Sequence, residues 1–144
     1  MELELLDGDT IKVLDASNTQ HRIRLAGIDA PERKQPWGTR SKQGLADILA
    51  GKEVTIEDRK TDRWGRIIGV VWVQPPDCTS CPRTLDAGIS QLTRGLAWHF
   101  KRYAHEQPPE ERKRYAFAEE EAKVKGVGLW SDKAPVPPWD WRRR

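Results

Sequence analysis

The residues of this chain best suited to chemistry lie in the segment 24–32, at the end of an apolar stretch. The segment carries one guanidinium, on Arg24, and two carboxylates, on Asp29 and Glu32. A cation, a hard oxygen donor and a candidate base suit chemistry on a phosphate ester, in which negative charge grows while a water molecule attacks. The same residues would also form an ordinary strand followed by a turn at Pro31, so this segment alone leaves the function open.

Two further segments contain polar residues between apolar stretches. The first, 7–10, reads Asp-Gly-Asp-Thr, and the second, 61–66, reads Thr-Asp-Arg-Trp-Gly-Arg. Each is typical of a β-hairpin turn. A single Asp-Gly pair usually marks nothing more than a turn, but the combination of three such segments is much more specific than any one of them.

In this order the three segments resemble the motifs of the staphylococcal nuclease (thermonuclease, micrococcal nuclease) family. The family's Gly-Leu-Ala and Leu-Trp-Ser elements recur at 95–97 and 129–131, so the resemblance runs from about residue 2 to residue 130. It implies a mainly β fold with helices, built as a five-stranded OB-fold barrel plus three α-helices. The activity it implies is that of a calcium-dependent phosphodiesterase acting on DNA and RNA.

Three residues are the candidates for catalysis. Glu32 carries a carboxylate that is ionised at neutral pH, so it would either take the proton of the attacking water or orient that water. Arg24 and Arg66 carry planar forks that match two phosphate oxygens each and stay charged at any accessible pH. The alternative for both arginines is an ordinary surface position beside a strand.

The candidate metal ligands are all oxygen donors. Asp9 and Asp29 supply carboxylates of the kind that Ca²⁺ prefers, and only two of them leave room for water and a substrate oxygen. The resemblance adds the backbone carbonyl of Ala30 as a third ligand. We expect Asp7 to order the turn or to support the ligands indirectly. The absence of His and Cys from this set argues against zinc.

The candidate substrate contacts are basic and aromatic. Arg63 and Trp64 stand where the family has a pair that contacts a terminal phosphate, and Tyr103 follows the second predicted helix together with Trp98 and Phe100. Stacking on aromatic rings tolerates any base, so the interpretation predicts broad specificity. Alternatively, Trp98 and Phe100 belong to the core.

Hydrophobic periodicity predicts the elements that position these residues. Alternation of period two predicts strands over 10–15, 21–28, 54–58 and 67–73. Helical spacing predicts helices over 41–49, 85–96 and 110–125, each followed or ended by glycine. The basic loop 33–40 precedes the first helix, and we expect its Trp37 to be exposed.

Length and composition are compatible with this interpretation. The chain has 144 residues, of which 33% are charged and 37% hydrophobic, with a net charge of +3. We expect one domain over 1–133, a Pro/Trp/Arg-rich tail over 134–144, and a monomer that binds DNA and RNA as substrates. No apolar run reaches the roughly 18 residues of a membrane span, and the first residues do not read as a secretion signal.

Cys78 and Cys81 stand in C-x-x-C spacing in a loop that interrupts the family pattern. A zinc half-site would need two more ligands, and a thioredoxin-like redox pair would need a βαβ unit around it. We favour a disulfide worth roughly 2 kcal/mol. A disulfide implies an oxidising compartment, so we expect a secreted or periplasmic protein whose leader is absent from this chain.

The tail and the overall function each allow two interpretations. The terminal segment 139–144, Trp-Asp-Trp-Arg-Arg-Arg, would grip nucleic acid, or its tryptophans cover the barrel while its arginines keep a frayed end soluble. We favour the second. The chain itself is either an active nuclease or a catalytically inactive OB-fold module that binds nucleic acid or protein. The presence of both aspartates, both arginines and Glu32 favours the enzyme.

Overall fold

A computed structural model describes residues 2–144 as a mixed sheet that carries helices. Eight strands occur in this part of the chain: β1 (Glu2–Leu5), β2 (Thr10–Leu14), β3 (Gln20–Leu25), β4 (Ile28–Asp29), β5 (Thr55–Thr61), β6 (Ile67–Val73), β7 (Leu85–Asp86) and β8 (Trp98–His99). The four α-helices are α1 (Gly38–Leu49), α2 (Ala87–Thr93), α3 (Pro109–Lys125) and α4 (Pro138–Trp141). The predicted fold class, mainly β with helices, is confirmed.

The five longest strands follow one another in the order β1-β2-β3-β6-β5, and β7 pairs with the far end of β6. Neighbours are antiparallel except β3 and β6, which run parallel, with Ile23 opposite Ile67. The short strands β4 and β8 form a separate antiparallel pair. Both predicted hairpin turns join antiparallel neighbours, 7–10 between β1 and β2 and 61–66 between β5 and β6. The closure of the sheet into an OB-fold barrel stays a prediction.

Two predicted helices have different bounds in the structure. The first begins at residue 38 instead of 41, after Trp37 adopts a left-handed backbone conformation with φ of 74°. The second covers only 87–93, because 85–86 pair with β6 as β7. Asp86 then caps α2, and its carboxylate accepts hydrogen bonds from the backbone N–H groups of Gly88 and Ile89 at 2.8 and 3.2 Å.

The third predicted helix is confirmed as α3, which ends where Gly126 takes the left-handed conformation, φ 64°. Trp37 is half-buried and its indole N–H donates to Asp132 at 3.0 Å, so the expectation that this side chain is exposed was wrong. The tail also forms a one-turn helix, α4. This helix covers residues 138–141, before the three terminal arginines.

The core lies between the sheet and the inner faces of α1 to α3. Its fully buried side chains are apolar residues from β2, β3, β4, β6 and the three helices, among them Ile11, Ile23, Leu25, Ile28, Leu45, Leu49, Val71, Leu92 and Tyr115. No helix within residues 2–144 is long and apolar enough to cross a bilayer. Cys78 and Cys81 form a disulfide in the loop between β6 and β7, as favoured from the sequence.

Candidate active site

The hairpin of β2 and β3 places the Asp9 carboxylate beside Arg24. Thr10 pairs with Arg24 across the two strands, and the carbonyl of Asp9 accepts a hydrogen bond from the backbone N–H of Leu25 at 2.8 Å. Gly8 lets this turn approach α1, because a β-carbon there would lie 1.8 Å from the hydroxyl oxygen of Ser41. The glycine of the Asp-Gly-Asp-Thr motif is thus required by close packing.

Arg24 lies between the two aspartates. Its guanidinium nitrogens are 3.4 Å from Asp9 and 3.3 Å from Asp29, and one of them donates to the carbonyl of Ile28 at 2.8 Å. The side chain is only 11% exposed. Arg24 is therefore held by one carboxylate on β4 and another just before β2.

The backbone of Ala30 contacts the Asp9 carboxylate directly. The backbone N–H of Ala30 donates to the Asp9 carboxylate at 2.7 Å, and the Thr10 hydroxyl donates to its other oxygen at 2.8 Å. Burial raises the pKa of Asp9, but the Arg24 charge and these hydrogen bonds outweigh burial and hold that pKa below its usual value. Asp9 is consequently ionised at neutral pH.

Burial is the main influence on the pKa values of the other two aspartates of the site, Asp29 and Asp7. Burial raises the pKa of Asp29, and hydrogen bonds from Arg142 oppose that rise. Burial and the neighbouring Asp9 charge raise the pKa of Asp7 to about 7. The Asp7 carboxylate accepts a hydrogen bond from the backbone N–H of Asp9 at 3.0 Å, so Asp7 orders the turn that carries Asp9.

Glu32 lies after β4, in the loop that leads to α1. Its backbone N–H donates to the side-chain oxygen of Gln35 at 3.0 Å, which fixes the loop, while its carboxylate is 38% exposed. That exposure leaves Glu32 accessible to water, as a base must be. One of its carboxylate oxygens accepts a hydrogen bond from Nε of Arg142.

Arg66 reaches the same region from the second hairpin. It follows the β5–β6 turn, and its Nε donates to the Asp62 carboxylate at 2.7 Å. Bonding through Nε leaves the outer edge of the fork, with both terminal nitrogens, without a hydrogen-bond partner among residues 2–144. An arginine held in this way presents two parallel donors to an incoming anion.

One cleft of about 600 Å³ collects these side chains. Its lining includes nearly all of the predicted catalytic, metal and aromatic residues: Asp9, Arg24, Ala30, Glu32, Trp64, Arg66, Phe100 and Tyr103. Asp29, whose side chain is fully buried, and Arg63 are not among the residues that line this cleft. The Arg63 guanidinium instead lies over the Trp64 ring at 4.4 Å. Trp98 packs edge-on against Trp130 and Trp139, away from this cleft.

The donor set fits a hard divalent cation. Asp9 and Asp29 both contact Arg24, so their carboxylates lie close together, and the Ala30 carbonyl belongs to the same short segment. All of these donors are oxygens, which is the chemistry that Ca²⁺ prefers. Within residues 2–144 no three His, Cys, Asp or Glu side chains cluster as a metal site.

Arg142 is a residue of this site that the sequence interpretation missed. Its guanidinium donates to both oxygens of Asp29, at 3.0 and 2.5 Å, and to Glu32. The expectation that all three terminal arginines lie in solvent is therefore wrong for this one. The available signal was the mixture of tryptophan and arginine in the tail, which suggests contact with a surface but does not indicate which arginine binds.

Comparison with known proteins agrees with the geometry. Residues 22–132 match the family described as staphylococcal nuclease homologue. A Shigella flexneri protein named micrococcal nuclease is 39% identical over 98% of this chain and 78% of that protein. The Escherichia coli protein ParB is 38% identical over 98% of this chain and 77% of its own length. An uncharacterized endonuclease of Haemophilus influenzae is 34% identical, over 99% and 71% respectively.

Proposed function

The chain belongs to the staphylococcal nuclease family, and on that premise we propose that it is a calcium-dependent nuclease that hydrolyses phosphodiester bonds of DNA and RNA. The observation that carries this proposal is the convergence of Asp9, Arg24, Glu32 and Arg66 on one cleft, from three separate segments of the chain. A binding surface does not require two arginines and a partly exposed carboxylate around a single position.

Each residue has a distinct part in the proposed hydrolysis. Arg66, with its terminal nitrogens unpaired among the described residues, binds the non-bridging oxygens of the scissile phosphate. Arg24 stabilises the negative charge that grows as phosphorus becomes five-coordinate. Glu32 takes a proton from the attacking water or orients that water. The water oxygen bonds to phosphorus as the P–O bond to the leaving oxygen breaks, and the leaving oxygen takes up a proton from solvent.

Asp9, Asp29 and the carbonyl of Ala30 would hold Ca²⁺, which supplies positive charge beside the phosphate. The pKa of Asp9 lies below its usual value, so this carboxylate can bind a cation without first losing a proton. Removing the Asp9 carboxylate should therefore abolish cation binding at the site.

The proposal is tested by digestion of single-stranded DNA with wild type and Glu32→Gln, each with Ca²⁺ or with a chelator. Glu32→Gln and the chelator should each lower turnover by about 100-fold or more. Glu121→Gln is a matched control, because Glu121 has similar exposure, 41%, and a cationic partner, Lys125, on the outside of α3. Undiminished cleavage by Glu32→Gln would overturn the proposed role of Glu32.

The second candidate is a nucleic-acid or protein binding module without catalysis. The exposed ring of Trp64 and the Arg63 guanidinium beside it favour some nucleic-acid binding in either case. Retained DNA affinity in a wild-type protein that does not cleave with any divalent cation would favour this alternative.

We further propose a monomer in an oxidising compartment, periplasmic or secreted. The disulfide between Cys78 and Cys81 supports the compartment, because cytosolic thiols are normally kept reduced. Mass measurement of protein from its native compartment, with and without reductant, should show two thiols only after reduction. Two free thiols before reduction would remove the argument.

A further inference from the structure

The tail places the guanidinium of Arg142 against Asp29, one of the residues proposed to hold the cation. Arg142 binds Asp29 through both terminal nitrogens and Glu32 through Nε. The Asp29 side chain is fully buried, and Arg142 contacts both of its carboxylate oxygens, while Arg24 contacts only Oδ1. A bidentate guanidinium occupies the same lone pairs that a metal ion would use.

The tail that carries Arg142 is anchored before and within the helix α4. Before the helix, the carbonyl of Val136 accepts a hydrogen bond from the Gln35 amide at 2.6 Å. Within it, the Trp139 ring stacks on Phe100, with 5.6 Å between centroids and planes 2° apart. These contacts hold the backbone that carries Arg142 beside the site.

On the basis of the proposed cation site, we propose that Arg142 is a tethered competitor of the divalent cation. The guanidinium and the cation exclude one another at Asp29, because both need its oxygens and because their charges repel. A buried carboxylate that loses its partner is costly. Arg142 therefore stays on Asp29 until a cation takes its place, so the cation must displace Arg142 in order to bind.

This competition has a reciprocal consequence. If Arg142 weakens cation binding by some factor, the cation weakens docking of the tail by the same factor. Binding of Ca²⁺ should loosen the segment 138–144, and removal of Arg142 should strengthen binding of Ca²⁺. Neither effect is expected if Arg142 only contacts substrate phosphate.

The test is calorimetric titration of the full chain with Ca²⁺ alone, in the absence of nucleic acid. Arg142→Ala should bind Ca²⁺ about 10-fold more tightly than wild type, within the usual range of coupling between sites. Arg142→Lys should lie between them, because lysine keeps the charge and loses the bidentate geometry. Arg144→Ala, whose guanidinium lies over the Trp141 ring at 5.3 Å, removes the same charge and should match wild type.

A second readout follows the tail itself. Ca²⁺ should speed amide hydrogen exchange of Trp141 and Arg142, which donate to the carbonyls of Pro137 and Pro138 at 3.0 Å each. Equal or weaker Ca²⁺ binding by Arg142→Ala, or an equal gain in Arg144→Ala, would overturn the competition. Failure of the proposed nuclease function is a separate outcome, because wild type would then not cleave DNA with any divalent cation, whatever the titrations show.

Discussion

The carboxylate of Asp62 holds Arg66 at two points. One oxygen accepts a hydrogen bond from the Arg66 backbone N–H at 2.9 Å, and the other accepts one from Nε at 2.7 Å. The first oxygen also accepts the backbone N–H of Trp64 at 3.0 Å. A single side chain thus builds the hairpin turn and aims the guanidinium that follows it.

Asp62→Asn separates these two functions. Asparagine keeps an oxygen for the backbone N–H groups, but its amide cannot accept the hydrogen bond of the Arg66 Nε. Turnover should fall by about 10-fold to 100-fold through misplacement of the guanidinium, while the melting temperature changes little. Steady-state kinetics and thermal melting check this, and a loss of stability without a loss of turnover would contradict it.

Trp64→Ala should weaken substrate binding more than it slows turnover. The ring is 64% exposed in the lining of the cleft, and a base stacked on it would gain about 1–3 kcal/mol. We expect KM for single-stranded DNA to rise by about 10-fold. Phe117→Ala removes an equally exposed aromatic ring, 68% exposed, from the outer side of α3 and serves as the control. An equal effect of both substitutions would count against a Trp64 subsite.

Glu111→Ala should destabilise the fold. Glu111 is 5% exposed and accepts two hydrogen bonds from Arg59, at 2.6 and 2.5 Å, and one from Gln107 at 2.9 Å. Its removal takes the buried carboxylate from Arg59 and the acceptor from the Gln107 amide N–H, at a cost of about 3 kcal/mol in the free energy of unfolding. Urea denaturation measures this loss.

The matched control for that variant is Glu57→Ala, which removes the other carboxylate on the same guanidinium. Glu57 is 49% exposed and contacts Arg59 at 2.8 Å. Because an exposed ion pair is screened by water, its loss should cost less than about 1 kcal/mol. Equal losses in the two variants would show that burial of Glu111 does not matter.

Stability should fall as the pH drops below about 6.5, in part through His99. Burial lowers the pKa of His99, and its Nε2 pairs with Gln107 at 2.7 Å, while Nδ1 has no hydrogen-bond partner among the described residues. A folded pKa below the unfolded value means that the unfolded chain binds the proton more tightly. The contribution of His99 to the free energy of unfolding is therefore fully present above the pKa of the unfolded state. It is lost as the pH falls toward the pKa of the folded state.

His99→Gln isolates this contribution from that of the carboxylates. The loss of unfolding free energy between pH 7.5 and pH 5.5 should be smaller in the variant than in wild type, because glutamine does not titrate. Denaturation at the two pH values measures the difference. An NMR titration that gives His99 a pKa above the ordinary histidine value would contradict the prediction.

Local signals predicted most of the scaffold. The two hairpin turns and the helix α3 were predicted from residues that are neighbours in the chain, because turn chemistry and helical periodicity act over a few residues. The second helix was predicted too long for a reason that is not local. Residue 85 continues the helical spacing of the apolar residues that follow it. Residues 85 and 86 nevertheless pair with Val73 and Trp72 on β6 and so belong to the sheet.

The sequence by itself determined which groups are available: two aspartates, two arginines and a glutamate in motifs that identify the family. Only the tertiary structure decided that Arg142, which is 113 residues from Asp29 along the chain, is a neighbour of the same carboxylate. No propensity or spacing encodes such a contact, because it depends on how the Trp139 ring packs against Phe100 after the whole chain has folded. Burial, which makes Asp29 dependent on a partner, is likewise a property of the packed molecule.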